Sequence, residues 1–444
     1  MRIAVVGFGW AGYEAAITCK RIRPDAEITV ISKESIPAYC RCGLTNAIAR
    51  EVEFESLFLR PLSYYEEHRI KLLLGYEAVD VIGDTIVARN RSNGCDVKVR
   101  YDKLIIATGA EPVKPNLRGI ELPGTFKLRS LEDARMIAEW AKKSRYAVVY
   151  GAGFLGLQVA DALSKLGLNV TVVEPMDYVL YPMIDPDVSL KVRGWLEEQG
   201  VKVVTGFREG EIVGTSKVEK ISGAGLEEKC DIVILATKVK PDVAFALNVG
   251  VELGPTGAIK VDERMETSIE GVFAAGDCVE VKELITGNPV NAQVATTAIR
   301  EARVAALNSL GGDEQYHGTT LMGLSQVFGL EIGIVGLSSL MCRRLGLNIS
   351  PVFLELNARA KYYPEKALIK LLADKESGRI VGAQLIGHAS SMRASLLSLA
   401  ISKGLTVNDM AKLEVAYYPS ITADWDPLVE ASRSLADDIK DKTL

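Results

Sequence analysis

Ile3-Ala4-Val5-Val6-Gly7-Phe8-Gly9-Trp10-Ala11-Gly12 is a short apolar run that passes into G-x-G-x-x-G and then into a helical pattern. In such a segment the first glycine makes a tight turn, and the second lets backbone N–H groups approach a pyrophosphate. The third lets the helix pack closely on the strand, so that a diphosphate rests at the helix N-terminus. The pattern recurs at Ala147-Val148-Val149-Tyr150-Gly151-Ala152-Gly153-Phe154-Leu155-Gly156. One match is weak. Two matches, each between a strand and a helix and each followed by a second strand, predict an α/β chain with two Rossmann-like dinucleotide-binding units.

The second strand of each unit should end near an acid that holds the adenosine ribose, roughly 20 residues on. Val170-Thr171-Val172-Val173 ends at Glu174, and neither Arg nor Lys occurs between Pro175 and Asp185. A carboxylate there accepts ribose hydroxyls and repels a 2′-phosphate, so this site reads as NAD rather than NADP. Ile28-Thr29-Val30-Ile31 ends instead at Ser32, with Lys33 and Glu34 after it. Ser32 offers a weaker ribose hydrogen bond, Lys33 stands at the same edge, and Glu34 is an alternative acid. Two further strand ends belong with the first unit. Lys103–Ile106 runs into Ala107-Thr108-Gly109, and Gly271–Ala275 runs into Gly276-Asp277, where an Asp can bind a sugar-like polyol beside a glycine that permits close approach. Thr297 and Ala298 open a helical stretch whose N-terminus can face a ligand.

The chain has 444 residues, 48% hydrophobic and 25% charged, with a net charge of -5. This composition excludes a disordered chain, a collagen and a long coiled coil. Nothing in the charge balance points to nucleic acid, and no apolar run reaches the ~18 residues of a transmembrane helix. No signal peptide is read before the strand at Ile3, so a cytoplasmic location is expected. The seven cysteines are odd in number and scattered, which favours a catalytic or redox-active cysteine over a disulfide framework. No metal site is expected. Between Phe54 and Val99 a helix is expected at Pro61–His68, with strands near Ala78–Ile82 and Thr85–Arg89. From about Thr319 the pattern becomes α+β. Strands are expected at Ser325–Phe328, Ile332–Gly336, Pro351–Leu356, Ala367–Ala373 and Ile380–Ile386, with helices at Ser390–Lys403 and Val407–Lys412.

Taken together, the two dinucleotide units, the Ala-Thr-Gly and Gly-Asp turns and the α+β C-terminal part resemble the FAD-dependent pyridine nucleotide–disulfide oxidoreductases. The resemblance implies a discontinuous FAD domain (1–112 and 241–315), an NAD domain (113–240) and a dimerisation domain (316–444). It implies that Gly7, Gly9, Gly12, Ser32, Lys33, Thr108, Gly109, Gly276 and Asp277 serve FAD, with Thr297 and Ala298 against the flavin. Gly151, Gly153, Gly156 and Glu174 then serve NADH. The subgroup follows from Cys40-Arg41-Cys42-Gly43-Leu44, because no C-x-x-x-x-C pair is present. Cys-Gly-Leu resembles the single-cysteine branch: coenzyme A-disulfide reductases, NADH oxidases and NADH-dependent persulfide reductases. Ala416-Tyr417-Tyr418-Pro419, Asp424-Trp425-Asp426-Pro427-Leu428 and Lys361-Tyr362-Tyr363-Pro364 are similar to the coenzyme A-using members. In those a partner-subunit tyrosine sits over the cysteine, which implies a homodimer or dimer of dimers. The chain departs from the pattern at Ser32, Thr45-Asn46, Gln158 and Cys40. No appended rhodanese-like domain is expected.

On this reading Cys42 is the redox cysteine, at the N-terminus of a helix expected over 43–50. A helix end stabilises a thiolate by up to ~2 kcal/mol, which brings the thiol from ~8.5 towards ~7, and Arg41 adds to the effect. Cys40 can pair with Cys42 in a strained disulfide, resolve it, or face away from it, and the last is the expectation. Tyr417, Tyr362 and Tyr363 are candidates to orient or protonate a leaving group. Lys20, Arg21 and Arg23, with Arg60 and Lys71, are candidate cations for the phosphates of coenzyme A. The expected activity is NADH-dependent reduction of coenzyme A persulfide, coenzyme A disulfide or polysulfide. The alternatives are an NADH oxidase reducing oxygen to water or hydrogen peroxide, and an NADH-sensing redox flavoprotein.

Overall fold

The computed structural model describes residues 1–441. Two compact units emerge: Met1–Val113 with Arg129–Leu131 and Lys238–Thr319, and Lys114–Leu128 with Glu132–Thr237 and the chain from Thr320. In the first unit Arg2–Val6 is the centre of a five-stranded sheet ordered Val272–Ala274, Lys103–Ile106, Arg2–Val6, Glu27–Ser32, Ile70–Leu74. Every pairing in it is parallel. Residues Ile3, Ala4, Val5 and Val6 are all buried, as a strand covered on both faces requires. The chain winds outward from Arg2–Val6 to one side and then to the other. That reversal opens a crevice at the carboxyl ends of the strands, and Gly7, Ser32, Ala107 and Ala275 are the residues at or just past those ends. One face carries the helices Trp10–Ile22 and Ala295–Ser309, which pack together. Alanines at 15 and 16 on one and 302, 305 and 306 on the other are fully buried, and their small side chains let the two backbones approach.

In the second unit Tyr146–Tyr150 is the centre of a parallel sheet ordered Lys202–Thr205, Asn169–Glu174, Tyr146–Tyr150, Ile232–Leu235, Thr125–Lys127. The same unit holds an antiparallel five-stranded sheet ordered Gly323–Val327, Leu330–Gly336, Ile380–Gly387, Lys366–Asp374, Ile349–Asn357. The sequence reading sets a boundary between these parts, and in the structure a buried polar cluster crosses it. Lys370 is ion-paired to Asp185 at 2.9 Å and to Asp187 at 2.7 Å, and Asp185 also accepts from the Ser339 hydroxyl. Gln158 donates to Ser325 Oγ at 3.0 Å, so the amide at this departure from the family pattern is used in the same way. The sequence reading lacks the helix Pro427–Asp441, whose apolar face buries Leu428, Val429, Ala431, Leu435 and Ala436. Among the described residues no helix is long and apolar enough to cross a membrane, and no group of side chains could hold a metal ion.

Candidate active site

The glycines of the two motifs divide into those that packing explains and those that it does not. A Cβ on Gly7 would lie 2.0 Å from the carbonyl oxygen of Ala107, and one on Gly12 would lie 2.0 Å from that of Gly7. Gly7 also has φ +105°, where an L side chain is strained. Gly9 has an ordinary φ of -80°, and a Cβ there would have only Arg41 Nε, 3.9 Å away, within reach. The second motif repeats this. Cβ atoms at Gly151 and Gly156 would strike backbone at 2.4 and 1.9 Å, whereas one at Gly153 would meet nothing within 4 Å. Neither the helix after Gly9 nor that after Gly153 has a side-chain cap or an acid in its first turn. A helix start without a side-chain cap, beside a glycine that the packing does not need, fits a diphosphate in both units.

Around the first motif the structure brings most of the expected residues to one crevice but reassigns several. Asp277 is ion-paired to Arg129 at 3.2 Å, a residue the sequence reading missed because it lies far along the chain without a motif. Gly276 has φ +90° and donates its N–H to the buried Glu301 carboxylate at 2.7 Å. Burial pushes the Glu301 carboxyl up to about 8. Thr297 and Ala298 are buried at the uncapped start of the helix Ala295–Ser309. Thr108 donates its hydroxyl to the carbonyl of Asp242 at 2.6 Å, and Asp242 N donates to Gly109 O at 2.9 Å. The Thr-Gly turn therefore ties down the chain where it returns to the first unit. Ser32 is buried, and its Oγ accepts from Glu34 N at 3.2 Å. Lys33 is committed within the protein: its ammonium is held by Glu111 and by Asp242, the latter at 3.1 Å. Glu34 is likewise committed, ion-paired to Arg41 and accepting the Tyr39 hydroxyl at 2.8 Å.

Glu174 ends its strand as expected. Its two carboxylate oxygens accept from Ala152 N at 2.6 Å and Met176 N at 2.8 Å. The acid is thus pinned against the glycine turn, and burial raises its pKa above the ordinary value despite those two N–H groups.

The cysteine segment differs most from expectation. Cys42 is exposed and lies in the 3₁₀ turn Arg41–Gly43, ahead of a helix of only five residues, Leu44–Ile48. Its support from a helix end is correspondingly small. Arg41 gives no charge to it either, because Glu34, the Tyr39 hydroxyl and the Arg129 carbonyl take the guanidinium. Cys40 does not face away. Its sulfur is hydrogen-bonded to the Cys42 thiol and receives the N–H groups of Gly43 and Cys42 and the indole of Trp10. Chiefly through the Cys42 hydrogen bond, these draw the Cys40 thiol down to about 6. The same bond holds the proton on Cys42, whose pKa rises. The two thiols share one proton and titrate as a pair.

The candidate coenzyme A cations are dispersed in their contacts. Lys20 donates to the carbonyl of Ala26 at 2.9 Å and Arg23 lies 3.9 Å from the Met1 sulfur, while Arg60 stacks over the Tyr64 ring. Arg21 and Lys71 are exposed. In the second unit the tyrosine segments are joined to each other. Ala360 N donates to Pro419 O at 3.2 Å, and His388 bridges the two, with Nε2 3.0 Å from Ile421 O and Nδ1 3.4 Å from Arg359. The Arg359 guanidinium lies over the Tyr363 ring, which is beside that of Tyr362. Tyr362, Tyr417, Tyr418, Ile421 and Trp425 form an exposed apolar set.

Comparison with known proteins agrees with this geometry. Residues 1–302 match the family described as pyridine nucleotide-disulphide oxidoreductase, and residues 325–427 match its dimerisation domain. An NADH oxidase of Methanocaldococcus jannaschii is 33% identical, with all of both chains covered. A CoA-dependent NAD(P)H sulfur oxidoreductase of Pyrococcus furiosus is 32% identical, covering 98% of this chain and 99% of its own. The solved structure of an NAD-dependent persulfide reductase from A. fulgidus superposes with a TM-score of 0.95 at 35% identity, over 100% of this chain and 84% of that one. Two glycine motifs on parallel sheets, and matches to the family over residues 1–302 and to its dimerisation domain over 325–427, lead to one conclusion: the chain belongs to the pyridine nucleotide-disulphide oxidoreductases.

Proposed function

We propose that this protein is an NADH- and FAD-dependent reductase of sulfur–sulfur bonds, acting on coenzyme A persulfide, coenzyme A disulfide or polysulfide. The observation that carries the reading is the placement of the Cys40–Cys42 turn. Arg41, between the two cysteines, lies beside Gly9 and donates to the Arg129 carbonyl at 2.9 Å, while the Arg129 guanidinium holds Asp277 at 3.2 Å. A reactive sulfur thereby faces the residues suited to hold a flavin. Bound there, FAD would relay two electrons from NADH to sulfur. Gly7, Gly9 and Gly12 fit its diphosphate, Gly276 and Asp277 the adjoining polyol, and Gly151, Gly153, Gly156 and Glu174 the nicotinamide dinucleotide.

The chain's own chemistry begins at Cys42. Its exposure lets the thiolate attack a substrate sulfur, and Tyr417, Tyr362 and Tyr363 orient or protonate the departing thiol. The exposed aromatic set lies in the stretch matched by the dimerisation domain, which supports a homodimer in which these tyrosines come from the partner chain. The relatives named for coenzyme A support a substrate of that class. A second reading, reduction of oxygen, is favoured by the relative named NADH oxidase. Flavin-loaded protein assayed with NADH against coenzyme A persulfide, coenzyme A disulfide and oxygen separates them. Turnover on a sulfur substrate well above that on oxygen is expected, and the reverse order overturns the assignment.

A further inference from the structure

The sulfur-reductase reading needs one cysteine, yet the structure holds two sulfurs together where it needs one. Cys40 opens the turn whose Gly43 N–H closes on Cys40 O at 3.2 Å, with Cys42 inside it. Consecutive Cα atoms are about 3.8 Å apart, so residues two apart in a tight turn stand about 5–6 Å from each other, inside the range of about 4.4–6.8 Å that a disulfide spans. The turn is anchored rather than free: Cys40 N donates to Leu57 O at 2.9 Å, and Tyr39 bridges to Phe58. The two thiols act on each other's ionisation, and the Trp10 indole acts on that of Cys40. Cys42 is exposed and Cys40 partly buried, so Cys42 is the more accessible sulfur to a substrate.

We propose that Cys40 is the resolving thiol of this enzyme, releasing substrate from Cys42 by closing a Cys40–Cys42 disulfide. The proposal rests on the sulfur-reductase reading. The resting pair carries one proton and one negative charge. The shared proton moves from Cys42 to Cys40, and the Cys42 thiolate so formed attacks a disulfide RSSR, forming Cys42–S–S–R and expelling RS⁻, which takes that proton from Cys40. The Cys40 thiolate then attacks the Cys42 sulfur, the bond to R breaks, and a second RS⁻ leaves. With FAD bound, NADH would supply the two electrons and one proton that open the internal disulfide and restore the singly protonated pair. The balance is NADH and RSSR to NAD⁺, RSH and RS⁻. A single cysteine would keep R bound until the flavin reduced the mixed disulfide. The pair releases both halves of the substrate before any reduction.

The test uses flavin-loaded full-length protein, reduced with dithiothreitol, desalted, and given coenzyme A disulfide without NADH. Released thiol is counted, and after an acid quench and alkylation the 40–42 peptide is weighed. Wild type is expected to release two coenzyme A thiols per chain and to show a Cys40–Cys42 disulfide without adduct. Cys40→Ser is expected to release one and to keep coenzyme A on Cys42. Wild type that releases one thiol and keeps the adduct overturns the proposal, a result that needs no variant to fold. An adduct trapped on Cys40 in Cys42→Ser, with none on Cys42 in Cys40→Ser, overturns the order of attack. If wild type neither reacts with the disulfide nor turns over any sulfur substrate with NADH, the sulfur-reductase reading fails and takes the proposal with it. Turnover with a retained adduct refutes the proposal alone.

Discussion

Replacing Glu174 by Gln tests whether its charge sets the preference for NADH over NADPH. The carboxylate is buried and pinned by the N–H groups of Ala152 and Met176 at 2.6 and 2.8 Å, so it cannot swing away from an incoming 2′-phosphate. At a separation of about 5 Å and an effective dielectric constant of about 30, one pair of like charges repels by about 2 kcal/mol. That corresponds to about 30-fold in kcat/KM in favour of NADH. Glu174→Gln should lower this preference to within a few-fold. It should also cost about 1–3 kcal/mol of stability, because an amide nitrogen replaces one oxygen and faces a backbone N–H. The preference should further weaken as pH is lowered through a carboxyl pKa that burial has raised above the ordinary value, since the protonated acid no longer repels. Steady-state kcat/KM for both cofactors, measured on wild type and variant at neutral and mildly acid pH, gives the answer. A folded Glu174→Gln enzyme with an undiminished NADH preference would refute the reasoning and place the discrimination elsewhere.

Four further outcomes follow from the geometry. Gly9→Ala has room for its methyl group and should fold but bind FAD more weakly, whereas Gly12→Ala would press on Gly7 O from 2.0 Å and should lose the fold, as flavin titration and circular dichroism would show. Glu301 ionises freely near its usual value when unfolded but only near about 8 when folded, so folding stability should fall as pH rises from about 4.5 to about 8. Urea melts should show that slope reduced in Glu301→Gln. Arg393 and Asp426 form an ion pair at 2.9 Å with each side chain 1% exposed, and Arg393→Met should cost about 3–5 kcal/mol in urea unfolding by leaving Asp426 buried and unpaired. Mixing inactive Cys42→Ser and Tyr417→Phe chains should restore some activity once subunits exchange, and no recovery after confirmed exchange would contradict a site shared across a dimer.

What the sequence determined by itself is what near neighbours along the chain enforce. A buried parallel strand must be apolar throughout, and a chain that turns sharply under a close-packed helix must place glycine at fixed offsets, so Gly7, Gly12, Gly151 and Gly156 announce the two nucleotide units before any coordinate is known. Cys-Gly-Leu marked the cysteine segment by its resemblance to the family's single-cysteine branch. Charges and thiols obey no such rule, because their partners come from anywhere in the fold. Lys33 is claimed by Asp242 and Glu111, Arg41 by Glu34 and the Arg129 carbonyl, and Asp277 by Arg129. The first two pairings turn Lys33 and Arg41 from the cofactor and from Cys42, and the third sets Arg129, which no motif marked, beside Asp277. The helix-end argument likewise favoured Cys42 over Cys40, but the tertiary structure set the Trp10 indole and the turn's own N–H groups against Cys40. The backbone path is fixed by patterns a few residues long. The ionisation of a sulfur is fixed by which donors converge on it, and that only the folded chain decides.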